Sequence, residues 1–293
     1  MRTPATRVIV LLTLVLAAGA AGLSNPAVAQ EGLLPRYARD RGTGVPASMF
    51  GTYIRHGQLL VYPFFEYSRD HNREYSPAQL GVGLDHNFRG KYRASAGQIF
   101  IGYGLTDWLA LEVEAALLRA RLERSPSDTS PTPARTEESG FGDVEGQLRV
   151  RLMREGQRRP EIFAYSEFTV PSQKDKHLIG EPNWDLKPGI GIVKGLSWGT
   201  VTLRGTVEYT REDASLNVGE VAVEYLKRLS PSLRLHLAVE GGEGGAPDEW
   251  DLVPGVQWRL TDAVFLKLDN ALGISSKATD WAPAIGVLFS FPQ

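Results

Sequence analysis

The sequence contains no cysteine, which excludes a disulfide framework, a thiolate metal site and a lipid-modified cysteine. It has no excess of either charge. With 32 Lys and Arg against 34 Asp and Glu, it carries no electrostatic footprint for nucleic acid. Past the N-terminus it has no long apolar run, and a mean hydropathy of −0.19 is too polar for a bundle of membrane helices. That value does not bear on a membrane β-barrel, whose inward and outward positions average out. No stretch has a competing helical periodicity, and no G-x-S-x-G motif occurs.

The one apolar run is N-terminal. Arg2 and Arg7 precede residues 8–23, VIVLLTLVLAAGAAGL, and Ala27-Val28-Ala29 follows. A basic flank, a short apolar core and an A-x-A site predict a secretory signal over 1–29, of Sec type and cleaved after Ala29. Its 16 residues fall short of the roughly 20 that span a bilayer as a helix. Export without cysteine suits a Gram-negative envelope. Residues 30–57 are expected to form an irregular periplasmic leader, and 58–293 the folded domain.

What the rest of the chain has is alternation. In GDVEGQLRVRL (142–152), Val144, Gly146, Leu148, Val150 and Leu152 interleave with Asp143, Glu145, Gln147, Arg149 and Arg151. A two-residue period puts these sets on opposite faces of a strand. The pattern recurs at 59–69, 95–104, 108–118, 143–153, 161–170, 184–194, 199–210, 217–228, 232–241, 250–260, 262–272 and 281–291. Short and long connections alternate between these segments. One long connecting stretch, 123–140, has a disordered composition and reads as a mobile external loop. The prediction is an all-β fold, a twelve-stranded antiparallel up-and-down transmembrane β-barrel, with tight periplasmic turns and larger external loops.

Tryptophan placement points the same way. Trp198 and Trp258 lie at the expected periplasmic rim, and Trp184, Trp250 and Trp281 at the outer rim, as interfacial girdles require. Trp108 also lies near the periplasmic rim, but on the inward set of its strand. A secreted sandwich with its apolar face inside explains the alternation equally well, but not the uniform strand length, the loop alternation or the tryptophan rims. Pro63, Pro188, Pro254 and Pro283 oppose the barrel, because proline cannot donate to a ladder. Bulges, or pairing that ends near these residues, are expected.

The polar face defines the candidate lumen: Glu112, Glu114, Asp143, Glu145, Arg149, Arg151, Arg204, Glu208, Glu220, Glu224, Arg234, Arg259, Lys267 and Asp269. Traced along strand direction, Asp143, Glu145, Glu167, Asp185, Glu208, Glu220, Glu240 and Asp251 gather toward the outside. Arg149, Arg151, Arg234 and Arg259 gather toward the periplasm. Two readings stand side by side: a polar conduit whose charged rings select solute sign, and a salt-bridged network that seals itself.

Other constellations are weaker. Asp70-His71-Asn72 and Asp85-His86-Asn87 could offer ligands to a divalent ion, although adjacent polar loop residues are more often simply solvated. His236, with Thr206 or Ser166, is the nearest approach to a hydrolase pair, and no nucleophile and base are placed together. No catalytic residue, metal or cofactor is assigned.

Several stretches together resemble the outer-membrane family named for the MetA pathway of phenol degradation. They are GLTDWLALEVE (104–114), GFGDVEGQLRVRL (140–152), EFTVP (167–171) and WDLKPGIGIVK (184–194), with SMFGTYIRHGQLLVYPFFEY (48–67) similar to the start of a subgroup. The resemblance implies a transport-type barrel passing small aromatic or hydrophobic compounds, and it supplies no binding residues. The expected partners are outer-membrane lipid, a small-molecule solute and the barrel-assembly machinery. The terminal VLFSFPQ offers that machinery Phe291, two residues from the end. A non-conducting surface barrel with partner-binding external loops is the alternative.

Overall fold

The computed structural model describes residues 34–42, 54–83, 85–173, 175–180, 183–210, 215–242 and 249–291. The expected signal segment 1–29 lies outside the described residues, as do leader residues 30–33 and 43–53. The strands are β1 (Leu59–Tyr75), β2 (Phe88–Gly104), β3 (Leu109–Glu123), β4 (Arg135–Met153), β5 (Glu161–Val170) and β6 (Asp185–Gly195). They continue with β7 (Thr200–Thr210), β8 (Ser215–Arg228), β9 (Leu233–Gly242), β10 (Glu249–Arg259), β11 (Val264–Gly273) and β12 (Trp281–Phe291).

Each strand pairs antiparallel with its neighbours in the chain, and β1 closes on β12, with Leu59 opposite Phe291. The result is the expected closed twelve-strand up-and-down barrel, which leaves no sheet edge unpaired. The alternation decides what each face meets. Ile101, Ile190, Leu203, Val223, Leu237, Leu268 and Ile285 are exposed, while the facing set Glu112, Thr202, Glu224, His236 and Lys267 is buried. A soluble sandwich would invert this. An apolar exterior around fully paired strands is what a hydrocarbon surrounding requires.

β5, β6, β7 and β9 to β12 have 10 or 11 residues, the length of one bilayer crossing. β1 to β4 run to 17, 17, 15 and 19 residues, and their extra length lies at the long-loop rim. The segment 123–140 is therefore not the loop its composition suggested: 135–140 is strand, with Arg121 opposite Glu137. The remaining turn is tied down. Tyr75 donates its hydroxyl to Asp128 at 2.8 Å and accepts the Ser125 amide, while Arg124 bonds the carbonyls of Ser130 and Thr132. Ser, Thr and Asp bond nearby backbone and so order a loop that looks disordered by composition.

Each in-strand proline sits where one ladder is interrupted. Pro63 pairs Ile99 but falls in a gap against β12, and Pro283 pairs Asn270 but falls in a gap against β1. Pro254 pairs Leu237 and is skipped against β11, while the β6–β7 ladder begins just after Pro188. The bulges lie elsewhere, between Asp70 and Arg73, Ala115 and Leu117, Arg151 and Met153, and Gly205 and Val207.

Exposed Trp198 and Trp258 join Leu152, Leu229 and Leu260 at the short-turn rim. Trp184 and Trp281 are exposed at the long-loop rim, where Trp250 is half-buried with its ring over Gly241. Trp108 departs from its inward expectation. It precedes β3 in the 105–108 turn and is exposed, because strand parity stops applying where the strand ends.

Candidate functional site

The inward face divides into two halves of different construction. Toward the long loops it encloses a cavity of about 510 Å³ lined by seven carboxylates, Glu112, Glu114, Glu145, Glu167, Asp185, Glu220 and Glu240, against two cations, Lys187 and Arg204. Both cations are held by carboxylates. Arg204 lies 3.1 Å from Glu167 and also bonds Glu220, and Lys187 lies 2.9 Å from Asp185. Phe100 supplies aromatic wall, whereas the Phe168 ring lies on the outward face over Gly146. A second space of about 390 Å³ adjoins through Glu114 and Glu145, and adds Glu66, Asp143, Arg73 and His177. Asp143 accepts the Ser172 amide at 2.6 Å, and Glu208 is half-buried on β7 opposite Asn217.

Toward the short turns the lumen is packed. Leu60, Tyr62, Phe100, Ala110, Phe265 and Leu288 form a buried cluster with Ile54 of the leader. Across the barrel, Phe163, Tyr165 and Val193 form another. Their close approach depends on glycine: a Cβ at Gly191 or Gly189 would strike the ring of Phe163 or Tyr165 on the facing strand. The expected inner arginines are set into this floor. Arg149, only 3% exposed, lies 3.3 Å from Glu112 and 5.2 Å over the Phe163 ring, and bonds Gln147. Arg151 lies 3.8 Å from Glu161, Arg234 donates to Gln257 at 3.2 Å, and Arg259 bonds Asp262. Lys267 is buried with its ammonium 4.5 Å over the Tyr62 ring, and Glu224 is buried nearby on β8. A half-exposed Asp269 lies 3.0 Å from Nε2 of buried His236.

The leader completes the closure. Arg41 bonds Glu155 and lies 3.3 Å from Glu161, and Lys194 joins Glu155 at 3.2 Å. Gln58 donates to Ser290 at 2.9 Å and holds the Arg55 amide. Sequence reasoning missed Arg41, Ile54, Glu155 and Glu161. The signal it could have used is apolar residues on both faces at one end of a strand, as in EIFAY (161–165) and LLVYPFF (59–65). Where both faces are greasy, one of them packs against protein.

His71 Nδ1 lies 2.6 Å from Asp280, and His86 stands edge-on to Phe88. Among the described residues no group of three His, Asp or Glu could hold a metal ion. Thr206 donates to the Glu220 carbonyl, Ser166 lies opposite Leu148 and Pro188, and His236 has Asp269 as its polar partner.

No family model matches the chain, and no curated protein matches it. Solved structures do. An outer membrane channel from Pseudomonas putida aligns at a TM-score of 0.56 and 18% identity, covering 82% of this chain and 97% of that one. The translocator domain of the autotransporter NalP from Neisseria meningitidis aligns at 0.47 and 13% identity, covering 84% and 91%. The KdgM porin aligns at 0.46 and 9% identity, covering 79% and 99%. At these identities the likeness extends to the fold.

Proposed function

We propose that the chain is an outer-membrane barrel of a Gram-negative envelope that admits a small solute to its acid-rich outer vestibule and passes it inward when the leader-closed floor opens. The carrying observation is the pairing of an apolar exterior with a polar inner cavity that ends on a packed floor rather than on solvent. The vestibule's excess carboxylates favour cationic or neutral solutes over anions. Phe100 gives an aromatic or hydrophobic solute an apolar surface in the cavity wall, in keeping with the transport family the sequence resembles. Fold-level likeness to an outer membrane channel supports this reading. Export through the signal over 1–29 and insertion by the barrel-assembly machinery belong to the same proposal.

The sealed floor favours one competitor, a non-conducting surface barrel whose external loops bind a partner. Planar-bilayer recording separates the two. The channel reading expects small, rare openings from the wild-type chain and larger, more frequent ones from Arg149→Ala with Arg151→Ala, which loosen the floor. Silence from both proteins, each shown to be folded and inserted, supports the scaffold instead.

A further inference from the structure

A separate cavity of about 550 Å³ lies at the short-turn rim, where leader residues 36–40 cross the β6–β7 and β8–β9 turns. Its lining carries four cations, Arg36, Arg39, Lys227 and Arg228, against one carboxylate, Asp40. Asp40 is already engaged: its Oδ1 accepts the Arg228 amide at 2.9 Å and lies 3.7 Å from the Lys227 ammonium. Arg36 and Arg39 are exposed and make no ion pair among the described residues.

We propose that this cleft binds the phosphate headgroup of an anionic phospholipid in the leaflet next to the short turns. Three features converge on that chemistry. Guanidinium groups match phosphate oxygens in bidentate geometry, and two of them here face solvent. The cleft sits at the level of the interface: Leu229 lies in its wall at 56% exposure, and Trp198, next to the lining residue Ser197, is 54% exposed. Trp198 stacks on Tyr225, whose hydroxyl donates to the Trp198 carbonyl, so this part of the rim is rigid. A headgroup in the cleft would lay its acyl chains along the apolar exterior beside Leu229. A free phosphate would leave Leu196 and Leu229 unused. Basic pockets at the headgroup plane of membrane proteins recognise lipids by this combination.

The test uses the purified full chain exchanged into nanodiscs of phosphatidylcholine with added phosphatidylglycerol, and counts retained lipids by native mass spectrometry. The expected result is a preference of about tenfold for the anionic lipid. Arg36→Gln with Arg39→Gln should abolish it, and Arg36→Lys with Arg39→Lys should weaken it without abolishing it, because an ammonium keeps the charge but not the bidentate fit. Heat-modified migration on gels verifies that each variant still folds. Equal retention of both lipids overturns the proposal, as does an undiminished preference in the glutamine pair. Inorganic phosphate that displaces phosphatidylglycerol at equal concentration would show that the anion alone is recognised, and also overturns it. None of these outcomes depends on whether the lumen conducts.

Discussion

The half of the lumen toward the long loops and the half toward the short turns, outer and inner in the proposed orientation, are built on the same strands from the same alternation, yet one holds space and the other does not. In the outer half the inward positions include Glu114, Glu145, Glu167, Glu220 and Glu240 around a cavity, while Ala94 and Ala120 on β2 and β3 pack against Ile179 of the β5–β6 loop. In the inner half the inward positions include Leu60, Tyr62, Phe163, Tyr165 and Leu288, and the leader adds Ile54. Strand count alone therefore does not decide whether a barrel of this size is open. The side chains at each level decide it, and so does the segment that precedes the first strand.

The largest effect separating the halves should come from ion pairs of similar composition. Arg149→Met removes the partner of buried Glu112 and should cost about 3–5 kcal/mol, because a buried carboxylate is left uncompensated. Lys187→Met breaks the Lys187–Asp185 pair, which is open to water in the vestibule, and should cost about 0–1 kcal/mol. Urea unfolding in lipid vesicles measures both. Equal losses would mean that the two halves are equally hydrated.

A smaller contrast uses glycine. Gly191→Ala drives a Cβ into the Phe163 ring, and overpacking of this kind costs about 1–3 kcal/mol. Gly97→Ala has nothing within 4 Å of the added carbon and should be close to neutral. If Gly191→Ala is also neutral, the floor yields easily. The same variant should then show raised conductance, which would place the moving part at β5 and β6.

The difference between the halves also marks where the sequence could be read. Strands were legible because period-2 alternation survives wherever one face is apolar and the other polar, as in 143–152. The gathering of carboxylates toward the long loops followed from strand direction alone. The floor was not legible, since EIFAY and LLVYPFF are apolar on both faces and give no sign of which one packs inward. Docking of the leader was invisible for another reason. Arg41 meets Glu155 and Glu161 across more than a hundred residues of chain, and no local pattern encodes that. The outer extensions of β3 and β4 were hidden by their charge, because cross-strand Arg and Glu pairs in water have the composition of a loop.

Selectivity is a subtler reading of the same contrast. Glu114→Gln with Glu145→Gln removes two of the vestibule's seven carboxylates without touching the floor. The cation-to-anion permeability ratio, taken from the reversal potential under a salt gradient, should fall about twofold. Conductance and thermal stability should hardly move. A change in conductance as large as that from floor variants would erase the distinction between a selecting half and a closing half.

The smallest effect expected lies outside the membrane-spanning strands, in the β11–β12 loop. The Asp280 carboxylate is held below its ordinary range, first by the His71 backbone amide at 2.9 Å and then by His71 Nδ1 at 2.6 Å. A carboxyl whose folded pKa is depressed contributes stability that is fully present above its unfolded value and is lost as pH falls through the lowered one. Both side chains are about half exposed, so screening should keep this contribution below about 0.5 kcal/mol. Asp280→Asn should therefore match the wild type in strongly acid solution and fall slightly behind it from weakly acid pH upward. Hydrogen exchange at the amide of residue 71 provides the local readout. Protection that does not change with pH, or with the substitution, would mean that water rather than Asp280 satisfies that amide, and the outer rim would then be held by its strand ladders alone.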